Sequence, residues 1–202
     1  MSVQAELAGF ERRLSEHRYL VEVEAGRVPM GSLRAFAGEQ RAIIASDQGS
    51  FEHLARRFPE PPAGELFVDM AAGEAEALRR LRSFAEAVEL ESDYEPSPGC
   101  QAYPAYVAWL ALNGAPGDVA LAFLANLDSW GRSCARLRDA LGPALGVEAV
   151  GFFDFFASPN PGFRDRALEL VAGAEPGSAR RAARLLQAYE LQFWDTLAEG
   201  LP

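Results

Sequence analysis

Residues 178–199 read SARRAARLLQAYELQFWDTLAE, and apolar side chains recur in this stretch at alternating intervals of three and four residues. Such spacing places side chains on one face of an α-helix. Glu190 interrupts the apolar stripe, because it lies between Leu186 and Phe193. The stretch therefore predicts a helix that packs one face into a core and carries a carboxyl group within that face.

The same spacing recurs in two other long segments, 30–58 and 117–141. No segment shows the alternation of β-branched residues that is typical of strands, and the phenylalanine-rich stretch 151–160 is interpreted as a short helix ended by Pro159. Proline- and glycine-rich breaks, which we expect to be turns, lie at 25–29, 58–62, 95–99, 114–117, 142–146, 158–162 and 174–178. We therefore predict an all-α, compact bundle of about seven to nine helices, in one domain over residues 1–202.

The composition argues against several classes of partner and cofactor. A net charge of −10 repels the phosphates of nucleic acids and anionic lipids. The two cysteines, Cys100 and Cys134, have no metal-ligand spacing and cannot build a disulfide framework. Two histidines are too few for a di-iron centre, and no phosphate loop or dinucleotide fingerprint is present. The amino terminus has no signal-peptide core, and no apolar run could span a bilayer. We expect a cytoplasmic protein without metal, cofactor, nucleic acid or membrane partner.

Four polar residues occupy positions on the apolar stripes, where an unpaired polar group is costly to bury. Gln40 is expected to bridge two helices, Asn126 to fix helix register, and Asp47 to lie at the edge of its stripe in contact with water. Glu190 needs a cation, hydrogen-bond donors or a raised pKa. Its interpretation stays open between a structural ion pair and an acid–base group, because both perturb the pKa of a carboxyl group.

Three segments, which together span most of the chain in order, resemble the TenA family. The first, residues 10–40, reads FERRLSEHRYLVEVEAGRVPMGSLRAFAGEQ and is similar to the family's opening, His-Pro-Phe … Gly-x-Leu-Pro … Phe-x-x-Tyr-x-x-Gln-Asp. The second, residues 101–131, reads QAYPAYVAWLALNGAPGDVALAFLANLDSWG and resembles its central pair of helices. The third, residues 189–200, reads YELQFWDTLAEG and is similar to its closing Glu-x-x-Phe-Trp helix. The resemblance implies the haem-oxygenase-like helical fold that this family shares with PqqC.

Family members of the aminohydrolase type use a cysteine nucleophile, a nearby aspartate, a glutamate on the last helix and aromatic residues that stack on a pyrimidine. The resemblance places the glutamate on Glu190, the cysteine on Asn126 and the aspartate on Arg41. The aromatic positions fall on Tyr106, Trp130 and Phe156. Asparagine cannot form a thiolate, and Cys134, two helical turns beyond Asn126, does not replace it. An Arg41–Glu190 pair in one cavity would lower the pKa of the glutamate.

These observations lead to one main hypothesis and two alternatives. The main hypothesis is a TenA-like protein that binds a small aromatic or heterocyclic molecule, linked to thiamin-type metabolism, through Glu190, Arg41, Gln40, Tyr106, Asn126, Trp130 and Phe156. The first alternative is a cofactor-free or metal-assisted oxidase or hydrolase with Glu190 as acid or base. The second is a regulatory or interaction protein with a fully packed interior. The resemblance also implies a homodimer or homotetramer.

Overall fold

The computed structural model of the chain describes residues 3–158 and 161–201. These residues form nine helices and no strand, which confirms the all-α prediction. The helices are α1 (Val3–Ser15), α2 (Arg18–Glu24), α3 (Met30–Arg57), α4 (Ala63–Ala87), α5 (Pro98–Asn113), α6 (Pro116–Leu145), α7 (Gly151–Ala157), α8 (Pro161–Ala172) and α9 (Pro176–Glu199). None of the helices in the described ranges is long and apolar enough to cross a membrane.

In the described residues, the predicted turns lie between helices or extend into the first turn of the next helix, with one exception. Helix α6 runs through the expected break at 142–146 and ends at Leu145, so the prediction of a turn there is wrong. Pro143 lies in the last turn, where it removes one intrahelical hydrogen bond only. The helix ends before Gly146. The φ of this residue is 88°, in the left-handed region that glycine adopts without steric cost. Helix α7 forms as expected and ends at Ala157, while the predicted stop at Pro159 lies outside the described residues.

Side chains at the amino-terminal ends fix where two of the helices begin. The Ser97 hydroxyl accepts a hydrogen bond from the Cys100 amide at the start of α5. The Glu175 carboxylate accepts bonds from the amides of Gly177 and Ser178 at the start of α9. Both arrangements satisfy amides that have no partner within the helix, and the charge of Glu175 also complements the helix dipole.

A buried carboxylate holds the connection between α4 and α5 against α3. Glu39 is 1% exposed, and its Oε1 atom accepts bonds from the Tyr94 hydroxyl at 2.9 Å and the Ser97 amide at 2.7 Å. Gly38 makes room for this contact, because a Cβ atom there would lie 2.3 Å from the Tyr94 ring. The rotation of α3 about its axis is thereby fixed at the turn that also carries Gln40.

The interior contains two apolar clusters, each with its own aromatic residues. One surrounds Phe36, Trp130 and Trp194, and the other surrounds Phe51 and Phe123. The polar stripe residues on α3, α6 and α9 lie where these clusters meet. The polar residues that interrupt the apolar stripes in the sequence therefore form one polar layer inside the bundle.

Candidate functional site

A cavity of about 50 Å³, here called the inner chamber, lies in the polar layer between the two clusters. Side chains from six helices surround it, and most of the wall is apolar or aromatic. The lining residues are Gln40, Ile43, Ile44, Asp47, Glu74, Tyr103, Phe123, Asn126, Leu127, Trp130, Phe156, Glu190 and Phe193. The chamber is built where helical stripes carry polar residues in place of apolar ones.

Five of the seven residues predicted for the site reach this chamber. Glu190, Gln40, Asn126, Trp130 and Phe156 all line it. The ring of Phe156 meets that of Trp130 edge to face, with centroids 5.8 Å apart and an interplanar angle of 76°. Such aromatic walls favour a flat apolar ligand surface.

No basic side chain of the described residues lines the chamber beside Glu190. Its side chain is 2% exposed, its Oε1 atom accepts a bond from Trp194 Nε1 at 3.3 Å, and its Oε2 atom is buried without a hydrogen-bond partner. Burial raises the pKa of Glu190 to about 8, and the Trp194 bond opposes this only in part. Among the described residues no cation pairs with this carboxyl group, so the ion-pair interpretation does not hold there, and the acid–base interpretation stays a prediction.

Arg41 is not among the described residues that line the chamber, so the shared cavity on which an Arg41–Glu190 pair depends is not formed. Its guanidinium donates to the Ser92 carbonyl at 3.4 Å, near the surface. Consecutive helical residues point about 100° apart, so Gln40 and Arg41 cannot share this face of α3. Of these two neighbours, Gln40 is the one that lines the chamber.

Tyr106 is also outside the chamber, and Tyr103 occupies the expected place. Tyr106 stacks on Trp109, with centroids 5.8 Å apart, and packs against Tyr189. Tyr103 lines the chamber and contacts both apolar clusters. The sequence contains the Ala-Tyr pair twice, at 102–103 and 105–106, and the tyrosine of the first pair is the one that lines the chamber.

Asn126 joins three helices through its side chain. Its Nδ2 atom donates to the Tyr103 hydroxyl at 3.2 Å, and its Oδ1 atom accepts from Gln187 Nε2 at 3.3 Å. Gln187 also donates to the Ala125 carbonyl at 2.7 Å. The expected hydrogen-bonding role of Asn126 is confirmed, and its amide positions the tyrosine hydroxyl at the chamber.

Two further carboxyl groups line the chamber and face Tyr103 with Glu190. Asp47 is 3% exposed, so the expectation that it is solvated is wrong, and its Oδ1 atom has no hydrogen-bond partner. Burial first, and then the Glu74 charge, raise the pKa of Asp47 well above its usual range. Glu74 is partly buried, and desolvation raises its pKa to about 8. Two neighbouring carboxyl groups resist ionising together.

Glu74 was missed from the sequence, although the same periodicity would have found it. The stripe of α4 runs through Phe67, Met70, Glu74, Ala77, Leu81 and Phe84, with intervals of three and four residues. Glu74 interrupts that stripe as Glu190 interrupts the stripe of α9.

A larger cavity of about 470 Å³, here called the outer chamber, adjoins the inner one between α4, α6, α7 and α8. Four residues line both chambers: Glu74, Phe123, Leu127 and Phe156. Ion pairs at its wall join α8 to its neighbours, namely Arg164–Asp128 at 2.6 Å and Arg166–Asp69. Its volume lies within the range of about 300–1,000 Å³ that is common for small-molecule sites.

Neither cysteine lines a chamber in the described part of the chain. Cys134 is fully buried, and burial raises its pKa well above the usual value. Cys100 is buried beside the Phe193 carbonyl, and desolvation raises its pKa to about 12. Both thiols therefore stay protonated and inaccessible, which is the opposite of what a nucleophilic cysteine requires. In the same described ranges, no group of three His, Cys, Asp or Glu side chains has an arrangement that could hold a metal ion.

The geometry agrees with comparisons to known proteins. The model of the TENA/THI-4/PQQC family matches residues 4–200. The chain belongs to this family. Comparison with curated protein sequences gives no match.

Solved structures of TenA relatives share the fold at low sequence identity. A TenA homologue from Pseudomonas syringae pv. tomato has a TM-score of 0.82 at 13% identity, over 98% of this chain and 91% of that one. A domain with a haem-oxygenase-like fold from Shewanella denitrificans has a TM-score of 0.75 at 12% identity, over 97% and 90%. A candidate TenA-like thiaminase from Sulfolobus solfataricus has a TM-score of 0.67 at 11% identity, over 99% and 95%. These likenesses confirm the haem-oxygenase-like fold.

Proposed function

We propose that this TenA-family protein binds a small aromatic or heterocyclic molecule, with its polar edge in the inner chamber and its remaining bulk in the outer chamber. The observation that carries the proposal is the pair of adjoining chambers with shared aromatic walls and polar groups at the inner end. The inner chamber alone is too small for a substituted ring, whereas the outer chamber has the volume of a ligand site. A role in thiamin-type metabolism follows from the family and from its thiaminase-like relative.

The ligand is not processed by a thiolate in this proposal. Asn126 stands where the resemblance places the nucleophilic cysteine, and its amide is engaged by Tyr103 and Gln187. A thiaminase assay of the purified protein tests this point. Robust turnover that survives replacement of Cys100 and Cys134 by alanine would show that the chain hydrolyses such substrates by another route.

A matched pair of substitutions tests whether the chambers are the binding site. Gly73 lines the outer chamber and Gly49 lies on the exposed face of α3, and a Cβ atom would meet no other atom within 4 Å at either position. Leucine at either site gains about 1 kcal/mol of helix propensity, but only Gly73→Leu fills the chamber. Titration of 4-aminopyrimidine, followed by intrinsic tryptophan fluorescence, should therefore fail in Gly73→Leu and succeed in Gly49→Leu. Equal titration of both variants would place the binding site elsewhere.

A second candidate function is acid–base catalysis on the bound molecule by Glu190. The specific observation is its unpartnered Oε2 atom at the chamber, on a carboxyl group whose pKa of about 8 suits proton transfer near neutral pH. The substitution Glu190→Gln keeps the shape and the bond from Trp194 but removes the exchangeable carboxyl proton. Loss of turnover with retained ligand binding would support catalysis, whereas unchanged turnover would exclude Glu190 as the acid or base. The chambers themselves argue against the interaction-protein alternative, which expects a packed interior.

A further inference from the structure

The wall of the inner chamber is strongly biased in charge. Among the described residues that line it, three carry carboxyl groups and none is an arginine, lysine or histidine. The acids approach from three helices, Asp47 on α3, Glu74 on α4 and Glu190 on α9. The Tyr103 hydroxyl on α5 and the Cys134 thiol on α6 are also close, and neither is a base at neutral pH. Glu74 also lines the outer chamber, whose charged side chains on α4, α6 and α8 are Asp69, Asp128, Arg132, Arg164 and Arg166. Among the described residues, the wall of the inner chamber itself supplies no positive charge.

Two acceptor atoms in the wall have no hydrogen-bond donor among the residues that the structure describes. They are Asp47 Oδ1 and Glu190 Oε2, on side chains that are 3% and 2% exposed. A buried acceptor atom without a partner has lost its hydrogen bonds to water and gains none in the protein, which lowers the stability of the fold. A ligand that brings N–H donors to both carboxyl groups would remove this cost, whereas a ligand with acceptor atoms alone would not.

We infer that the inner chamber takes a cationic, planar donor group, of the amidinium type, carried on an aromatic ring that lies in the outer chamber. This inference rests on the proposed function and names the charge class of its ligand. An amidinium presents two parallel N–H donors, which match carboxylate oxygens in a bidentate manner. Its three heavy atoms fit a cavity of about 50 Å³, which holds roughly three to four water-sized groups. The rings of Trp130, Phe156 and Phe193 add cation–π attraction from the walls.

Binding of a cation by this chamber releases protons. Without a ligand, burial raises the pKa of Glu74 and of Glu190 to about 8. Burial also raises the pKa of Asp47 well above its usual range, so all three carboxyl groups favour the protonated form at neutral pH. A nearby positive charge favours the ionised form of a carboxyl group and lowers its pKa. The affinity for a cation should therefore rise with pH from mildly acidic to mildly alkaline solution.

Benzamidine and benzamide are matched probes, because they have the same ring and nearly the same shape but only the former is cationic. Isothermal calorimetry on the full chain, in two buffers with different ionisation enthalpies, gives the affinity and the number of protons released. We expect benzamidine to bind with proton release, and benzamide to bind at least about thirty-fold more weakly, because the neutral probe forms no charge pair.

Three variants assign the effect to the chamber. Asp47→Asn and Glu74→Gln should each weaken benzamidine binding by at least about ten-fold and leave benzamide unchanged, since each removes one negative charge. Glu76→Gln is the matched control, because Glu76 lies on α4 beside Glu74 but pairs with Arg79 and Arg80 at the surface. Glu74 is partly exposed, so its variant remains informative if Asp47→Asn does not fold.

The outcomes separate this inference from the proposed function. Equal affinities for the two probes, both abolished by Gly73→Leu, would overturn the cationic class and leave the binding proposal intact. Benzamidine binding that persists in Gly73→Leu, or that falls equally in Glu76→Gln and Glu74→Gln, would overturn the placement in the inner chamber. Failure of both probes and of 4-aminopyrimidine at millimolar concentration would overturn both.

Discussion

Replacing Glu190 by glutamine should make the stability of the protein less dependent on pH. The side chain is 2% exposed, and its pKa rises from an ordinary 4.5 to about 8 because of burial. In the unfolded chain the carboxyl group ionises above 4.5, whereas in the folded chain it stays protonated until about 8. The unfolded state therefore binds fewer protons in this window, and the free energy of unfolding falls as pH rises.

The size of the effect follows from the two pKa values. Between about pH 5 and pH 7.5 the ionisation of Glu190 lowers the free energy of unfolding by about 3 kcal/mol, and the loss levels off above the folded-state pKa. Glutamine does not ionise, so the variant lacks this pH-dependent loss of stability. Its amide nitrogen gains no partner, which costs about 1–3 kcal/mol at every pH. Asp47 and Glu74 are present in both proteins, so their contributions largely cancel in the comparison.

Urea unfolding at the two pH values measures this difference directly. We expect the wild-type protein to lose about 3 kcal/mol more than Glu190→Gln between them. Glu76→Gln should behave as the wild type, because Arg79 and Arg80 hold the pKa of Glu76 at about 2 and its carboxylate is ionised throughout this range. Equal losses in wild type and Glu190→Gln would refute the assignment of a raised pKa to Glu190.

Three further predictions concern the polar layer and the thiols. Asn126→Ala should lower the free energy of unfolding in urea by about 1–3 kcal/mol, because a buried tyrosine hydroxyl loses its donor; an unchanged midpoint would speak against that bond. Calorimetry should show weaker benzamidine binding for Gln40→Ala and unchanged binding for Arg41→Ala. Weaker binding for Arg41→Ala alone would show that Arg41, and not Gln40, belongs to the site. Cys100 and Cys134 should react with the disulfide reagent DTNB only after unfolding, so a fast reaction of the native protein would contradict their burial.

The helices could be predicted from the sequence because each long segment carries its own periodic stripe. The apolar stripes of α3, α6 and α9 predicted where these helices lie in the sequence and which of their faces are buried. The turn expected at 142–146 was wrong because one proline near a helix end removes little, and the residue that ends the helix is Gly146. A local proline or glycine motif does not reveal whether it lies before or after the last helical hydrogen bond.

The site could be predicted only as far as helical faces define it. Gln40, Asn126 and Glu190 interrupt apolar stripes and reach the chamber. Arg41 lies outside the chamber because it is one residue, or about 100°, away from Gln40 on α3. Tyr106 lies one turn beyond Tyr103 on α5, and it packs against Trp109 and Tyr189 instead of lining the chamber. The burial of Asp47, the pairing of α4 with α3 and the volumes of the chambers depend on how whole helices pack, which no single stripe determines.

The division of the cavity into two chambers has a consequence for divergence among relatives. Met70, Leu124 and Ala135 line the outer chamber only, while the carboxyl groups of Asp47 and Glu190 lie in the inner one. Under the proposed function, changes at the first set would alter the size and shape of the molecules that fit the outer chamber, without changing the chemistry at the polar end. Separate sets of substitutions can therefore change the size of the ligand that fits and the chemistry of the polar end, in evolution or in protein engineering. Glu74, which belongs to both chambers, is the position where the two kinds of change are tied together.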